Sequence, residues 1–275
     1  MNYRLHVPER HGKGAPLLVA LHGCRQSAED FALGTRFDVF AERYGAIVLY
    51  PEQDERRNGH RCWNWFLPEN QQRHGHEPSA VLDLVERTIA EHEIDRSRVF
   101  VTGLSAGACA AAILAEQAPD VFAGVAAMAG VALHAAHDVD SAYAAMRGQR
   151  RGNDLALERH FRGAFRDSRA MFWTGKDDRR VAPENARRLA EQFVHLFALD
   201  AQPNEEEALA DGRRMRWHDR AGRARIELRE IAGVGHAWSG GSLRGSYTAP
   251  AGPSFSDAVF TFFLQDEAGA MQRCG

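Results

Sequence analysis

The segment Gly103-Leu104-Ser105-Ala106-Gly107 lies between an apolar run, "RVFVTG", and an alanine-rich run, "ACAAAILA". A G-x-S-x-G segment in that position admits very few backbone courses. A strand must end and a helix must begin within a few residues, so the positions two before and two after the serine have to be small. The serine hydroxyl is thereby lifted clear of the backbone, and the helix N-terminus behind it favours negative charge. On its own the pattern is a common glycine turn. Between a strand and a helix it makes Ser105 a candidate nucleophile.

A serine hydroxyl needs a base to take its proton. The segment "AGVGHAWSGGS", just after the strand-like "ARIELREI", places His236 among glycines that let a loop fold back over the sheet edge. A carboxylate must then orient that histidine, and it should lie between serine and histidine in the chain, at a strand's end. "AMFWTGKDDRRVAPEN" offers Asp177 and Asp178. On the residues alone either one serves, the other being a solvated loop acid.

The rest of the chain alternates strands with helices. "YRLHVP", "PLLVALHG" and "AIVLYP" read as strands, the second apolar enough to be covered on both faces. "SAEDFALGTRFDVFAERYG" reads as one helix stopped by Gly45, and a polar loop runs from Glu52 to about Ser79. "AVLDLVERTIAEHEID" carries a helical stripe. "GVAAMAG" and "AMFWTG" are further strands, and Pro183 suits the first turn of the next helix. "MRWHDRAGRARIELREI" reads as two strands about a turn, and a last helix starts near Pro253. This alternation implies an α/β fold with a mainly parallel sheet and helices on both faces. A single domain over 1–275 is expected, with a small helical insertion around 131–167.

Composition narrows the function. Hydrophobic residues make up 44% of 275, enough for a sizeable core. A net charge of -3 argues against nucleic-acid or anionic-membrane partners. No apolar stretch is long enough to span a bilayer. The four cysteines show no C-x-x-C spacing that would suggest zinc. His60, His74 and His76 lie in a polar loop without ligand spacing, so no metal is expected, and no pattern specifies an oligomeric state. The N-terminus lacks an apolar signal core, which favours the cytoplasm unless a leader has been removed.

Several segments together resemble a known family: "LHGCRQSAEDFA", "YPEQ", "CWNW", "GLSAGA", "GKDDRRVAPEN" and "GHAWSGGS" followed by "GSYTAPAGP". They are similar to the poly(3-hydroxybutyrate) depolymerase family of esterases, relatives of feruloyl and acetylxylan esterases with the α/β-hydrolase fold. The resemblance runs from the first strand to the last helix. It implies Ser105 as nucleophile, His236 as base and, through a G-x-x-D-x-x-V pattern on Gly175, Asp178 and Val181, Asp178 as acid. It also implies an oxyanion hole built from the backbone N–H groups of Cys24 and Ala106. The expected activity is cofactor-free hydrolysis of small esters or oligoesters of 3-hydroxybutyrate, with feruloyl or acetylxylan esters as the alternative. A non-catalytic binding protein on the same fold is disfavoured by the intact triad.

Three further expectations follow. Trp238, Trp63 and Trp65 are candidate walls of a substrate pocket. Cys24 and Cys62 leave neighbouring predicted strands, where a disulfide would tie the long polar loop to the oxyanion loop; a reducing compartment would keep both as thiols. Because the chain stops at "GAMQRCG", without a linker, soluble oligomers are expected to be cleaved in preference to crystalline polymer.

Overall fold

A computed structural model describes residues 1–150, 152, 164–165 and 167–265. The strands of the main sheet are β1 (Asn2–His6), β2 (Leu17–Leu21), β3 (Ile47–Glu52), β4 (Val99–Leu104), β5 (Gly124–Met128), β6 (Arg169–Gly175), β7 (Glu205–Leu209), β8 (Gly212–His218) and β9 (Ala224–Ile231). They form one sheet in the order β1-β3-β2-β4-β5-β6-β9-β8-β7. The pairs from β3 through β9 run parallel, while β1 at one edge and β8 and β7 at the other run antiparallel.

β2, β4, β5 and β6 are buried along their whole length, which is why each reads as an unbroken apolar run. Their side chains divide by alternation into two cores. Leu17, Val19, Leu21 and Val101 face α3 (His76–Glu91), α4 (Ala106–Gln117) and α6 (Glu184–Leu196), whereas Leu18, Ala20 and Trp173 face α1 (Ala28–Thr35), α2 (Phe37–Tyr44) and α7 (Phe255–Leu264). Helix α5 (Val139–Met146) stands over the C-terminal ends of the strands; of the expected insertion, residues 151, 153–163 and 166 lie outside the described residues.

Two local readings are corrected, and one strand went unread. The helix expected from Ser27 to Gly45 is two helices, broken where Arg36 takes a left-handed conformation (φ 59°) and the Thr35 hydroxyl bonds back to the Phe31 carbonyl. The polar loop ends earlier than expected, because α3 begins at His76. β7 went unread because "EEEAL" has no apolar face; its glutamates pair with arginines of β8, as in Arg214 with Glu207.

Candidate active site

Ser105 occupies the turn between β4 and α4 with φ 56° and ψ -118°, a conformation that costs a non-glycine residue energy. Its two glycines permit that turn in specific ways. A Cβ on Gly103 would lie 2.4 Å from the Gly107 carbonyl carbon, and one on Gly107 would lie 2.2 Å from the Leu21 carbonyl oxygen. The first glycine closes the turn on itself. The second lets the start of α4 press against the end of β2.

His236 comes from the loop after β9, and the end of β6 holds that loop in place. Lys176 N–H donates to the Ile231 carbonyl (2.7 Å) and Asp177 N–H to the Val234 carbonyl (3.1 Å). A Cβ on Gly175 would sit 2.1 Å from the Val234 oxygen, so glycine is required at this crossing. His236 Nε2 lies 2.9 Å from Ser105 Oγ, and His236 Nδ1 lies 2.7 Å from Asp178 Oδ2. A carboxylate can only accept, so Nδ1 carries the proton and Nε2 is left to accept from the serine hydroxyl. Asp178 is buried, and its other oxygen accepts from the N–H groups of Arg180 (2.8 Å) and Val181 (2.9 Å). Exposed Asp177 points elsewhere and accepts from Gly233 N–H (2.9 Å), a further tie on the histidine loop.

The loop after β2 approaches the elbow from the other side. A Cβ on Gly23 would lie 3.4 Å from the Leu104 carbonyl oxygen. Within this loop Gly23 N–H donates to Gln26 Oε1, Arg25 N–H to the His60 carbonyl and Gln26 N–H to the Gly23 carbonyl. The Cys24 N–H alone in that run has no acceptor among the described residues. Ala106, as the first residue of α4, has an N–H with no intrahelical acceptor.

His22, with no exposed surface, organises this loop. Its Nδ1 is 2.8 Å from the Gly23 carbonyl, and its Nε2 accepts from the Gln53 N–H at 3.1 Å. Both contacts require a neutral ring protonated on Nδ1, and burial lowers its pKa in the same direction. Trp63 Nε1 donates to the His22 carbonyl (3.1 Å). Behind Trp63, the buried Glu77 carboxylate accepts from Asn64 N–H, Asn64 Nδ2 and Gln53 Nε2, while burial raises its pKa. A disulfide joins Cys24 to Cys62, so the loop after β2 is tied covalently to the "CWNW" loop.

Ser105 and His236 open on a cavity of about 390 Å³. Of the three tryptophans, Trp65 lines it and the other two do not. Trp63 is instead the buried prop just described. Trp238 is fully buried in T-shaped contacts with Phe31, Phe37 and Phe255, and its Nε1 donates to Ser256 Oγ. It anchors the histidine loop to the core. An indole two residues from His236 was expected beside the substrate, yet the apolar layer beneath the loop claims it. Helix α5 also lines the cavity, through Val139, Tyr143 and Met146, which no motif had marked. Among the described residues no cluster of three or more His, Cys, Asp or Glu is placed to hold a metal, and no helix is long and apolar enough to cross a membrane.

Residues 1–208 match the family model described as esterase PHB depolymerase. That match includes Ser105 and Asp178 and stops short of His236, which only the fold brings to them. The chain is 33% identical over 236 residues to poly(3-hydroxyalkanoate) depolymerase C of Paucimonas lemoignei, covering 84% of this chain and 57% of the relative; it thus spans little more than half of that protein's length. It is 28% identical to feruloyl esterase B of Thermothelomyces thermophilus, over 71% of this chain and 70% of the relative. In fold it is similar to the acetyl xylan esterase from Aspergillus awamori, with a TM-score of 0.80 and 21% identity across 95% of this chain and 93% of the other. The strand order and this likeness establish the α/β-hydrolase fold, and the chain belongs to the PHB-depolymerase family of esterases.

Proposed function

We propose that the chain is a serine esterase that acts through Ser105, His236 and Asp178, with short soluble esters of 3-hydroxybutyrate as its substrates. The observation that carries this reading is the unbroken hydrogen-bonded line from Ser105 Oγ through His236 to Asp178 Oδ2 at the floor of the cavity. Ser105 Oγ attacks the ester carbonyl carbon as His236 Nε2 takes its proton. Negative charge gathers on the carbonyl oxygen, where the N–H groups of Cys24 and Ala106 receive it; each such donor is worth roughly 3 to 4 kcal/mol in the transition state. His236 then gives the proton to the departing alcohol, leaving an acyl-serine. Water, deprotonated by the same ring, releases the acid and restores Ser105. Asp178 keeps the ring in the right tautomer and offsets its transient positive charge.

The depolymerase relative supports hydroxyalkanoate esters. The feruloyl esterase relative, matched over similar shares of both chains, supports a second reading as a plant-ester hydrolase. Initial rates on soluble 3-hydroxybutyrate trimer, methyl ferulate and acetylated xylan separate the two. The proposal expects the trimer to have the highest kcat/KM, and a higher value on either of the others would overturn the substrate assignment.

A further inference from the structure

The substrate cavity has a charge character that the chain as a whole lacks. The net charge is -3, yet among the described residues no aspartate or glutamate lines the cavity, while Arg25 and Arg180 both do. Both arginines are exposed, and neither has a carboxylate partner among the described residues. Some arginines elsewhere on this surface are paired, as Arg61 is with Glu55, Arg73 with Asp120 and Arg96 with Glu86. The two at the cavity stand without such a partner at the place where a ligand would enter.

Each is also held by the catalytic framework. The Arg180 N–H donates to Asp178 Oδ1, and its guanidinium lies 5.8 Å from the centre of the Tyr247 ring, another lining residue. Packing of that kind engages the face of the guanidinium and leaves its N–H edge free for an anion. Arg25 follows Cys24 directly, and its own N–H is fixed to the His60 carbonyl at 2.7 Å. The same cavity is also lined by the apolar side chains of Val139, Tyr143 and Met146. The lining thus offers apolar surface to a hydrocarbon chain and guanidinium groups to a carboxylate.

We propose that Arg25 and Arg180 bind the free carboxylate of a hydroxyacid oligoester, so that the enzyme selects acid-terminated oligomers and cleaves near that end. This rests on the esterase reading above. In such an oligomer the free carboxylate lies on the alcohol side of each ester bond. Ser105 Oγ bonds to the acyl carbon, the ester C–O bond breaks, and the alkoxide that leaves takes its proton from His236. That alcohol carries the carboxylate held by the arginines. A neutral sugar ester offers them nothing.

The test compares soluble 3-hydroxybutyrate trimer with its terminal primary amide, a neutral analogue of nearly the same shape. Hydrolysis of the internal esters is followed for both. Exposed charge pairs contribute modestly, so the acid should be favoured by about three- to tenfold in kcat/KM at low salt. The difference should lie in KM and shrink at high ionic strength. Because acid and amide are compared within each enzyme, a general loss of activity cancels. Arg180→Gln should reduce the ratio, Arg180→Lys should keep most of it, and Arg25→Gln/Arg180→Gln should bring it to about one. A wild-type ratio of one, or a ratio that survives the double substitution, would overturn the proposal. If wild-type protein hydrolyses neither these compounds nor p-nitrophenyl butyrate, the esterase reading itself falls.

Discussion

Cutting the link between Cys24 and Cys62 should weaken both the fold and the chemistry. The two cysteines are 38 positions apart. Closing a loop of that length in the unfolded chain corresponds to about 4 kcal/mol of stabilisation on the chain-entropy account. Unfolding entropy of roughly 2.1 cal/mol/K per residue amounts to about 0.6 kcal/mol/K for a chain of this size, so Cys62→Ala should lower Tm by about 7 °C. The chemical effect is separate. Cys24 supplies the one N–H in its loop without an internal acceptor, and the disulfide helps hold that peptide against the elbow. Cys62→Ala leaves the peptide in place but untied, so kcat on p-nitrophenyl butyrate should fall about tenfold, part of the cost of losing the donor outright. Differential scanning calorimetry and initial rates read the two effects. Thiol titration of denatured, unreduced wild-type protein should find no more than two of the four cysteines free. Four free thiols, or a variant whose Tm and kcat both match wild type, would refute this reasoning.

Asp178→Asn should lower kcat by about 10⁴-fold through the wrong histidine tautomer, whereas Asp177→Asn should cost less than about tenfold, since an amide oxygen still accepts from Gly233 N–H; steady-state kinetics on both variants decides, and reversed severities would move the acid to Asp177. Burial lowers the His22 pKa from 6.5, so its contribution to stability is complete above that value and is lost as pH falls through the lower folded pKa. Thermal melts from pH 8 to 5 should therefore show the Tm advantage of wild type over His22→Asn shrinking toward acid, and an advantage that grows would contradict the neutral-ring assignment. Burial also pushes the Cys109 thiol up to about 12, so iodoacetamide at pH 8 should leave Cys109 unmodified in the native protein and alkylate it after denaturation, as peptide mass mapping would show.

Legibility in the sequence followed burial. β2, β4, β5 and β6 are enclosed on both faces, and their unbroken apolar runs could be read directly. The elbow was legible because a sterically tight turn admits so few residues at Gly103 and Gly107. β7 was invisible because an edge strand of glutamates is held by arginines across the ladder rather than by apolar burial. The break at Arg36 depends on a left-handed backbone adopted by a residue that is not glycine. Choosing between Asp177 and Asp178 needed the family resemblance, since both fit the loop and only the fold aims one of them at His236. The tryptophans misled for a related reason. Closeness in sequence to His236 says little about Trp238, which turns into the aromatic layer beneath the loop. The role of His22 rests on a hydrogen bond to Gln53, which is 31 positions away.

Whether Ser105 forms the acyl-enzyme is the point on which the rest depends. The protein should be treated with a p-nitrophenyl alkylphosphonate, which phosphonylates activated serines and cannot be deacylated in the usual way. Released p-nitrophenol should equal one per chain and keep pace with the loss of esterase activity. Peptide mass mapping should place the added phosphonyl group on Ser105, and Ser105→Ala should release none. A modified residue other than Ser105, or undiminished hydrolysis of p-nitrophenyl butyrate by Ser105→Ala, would contradict the account.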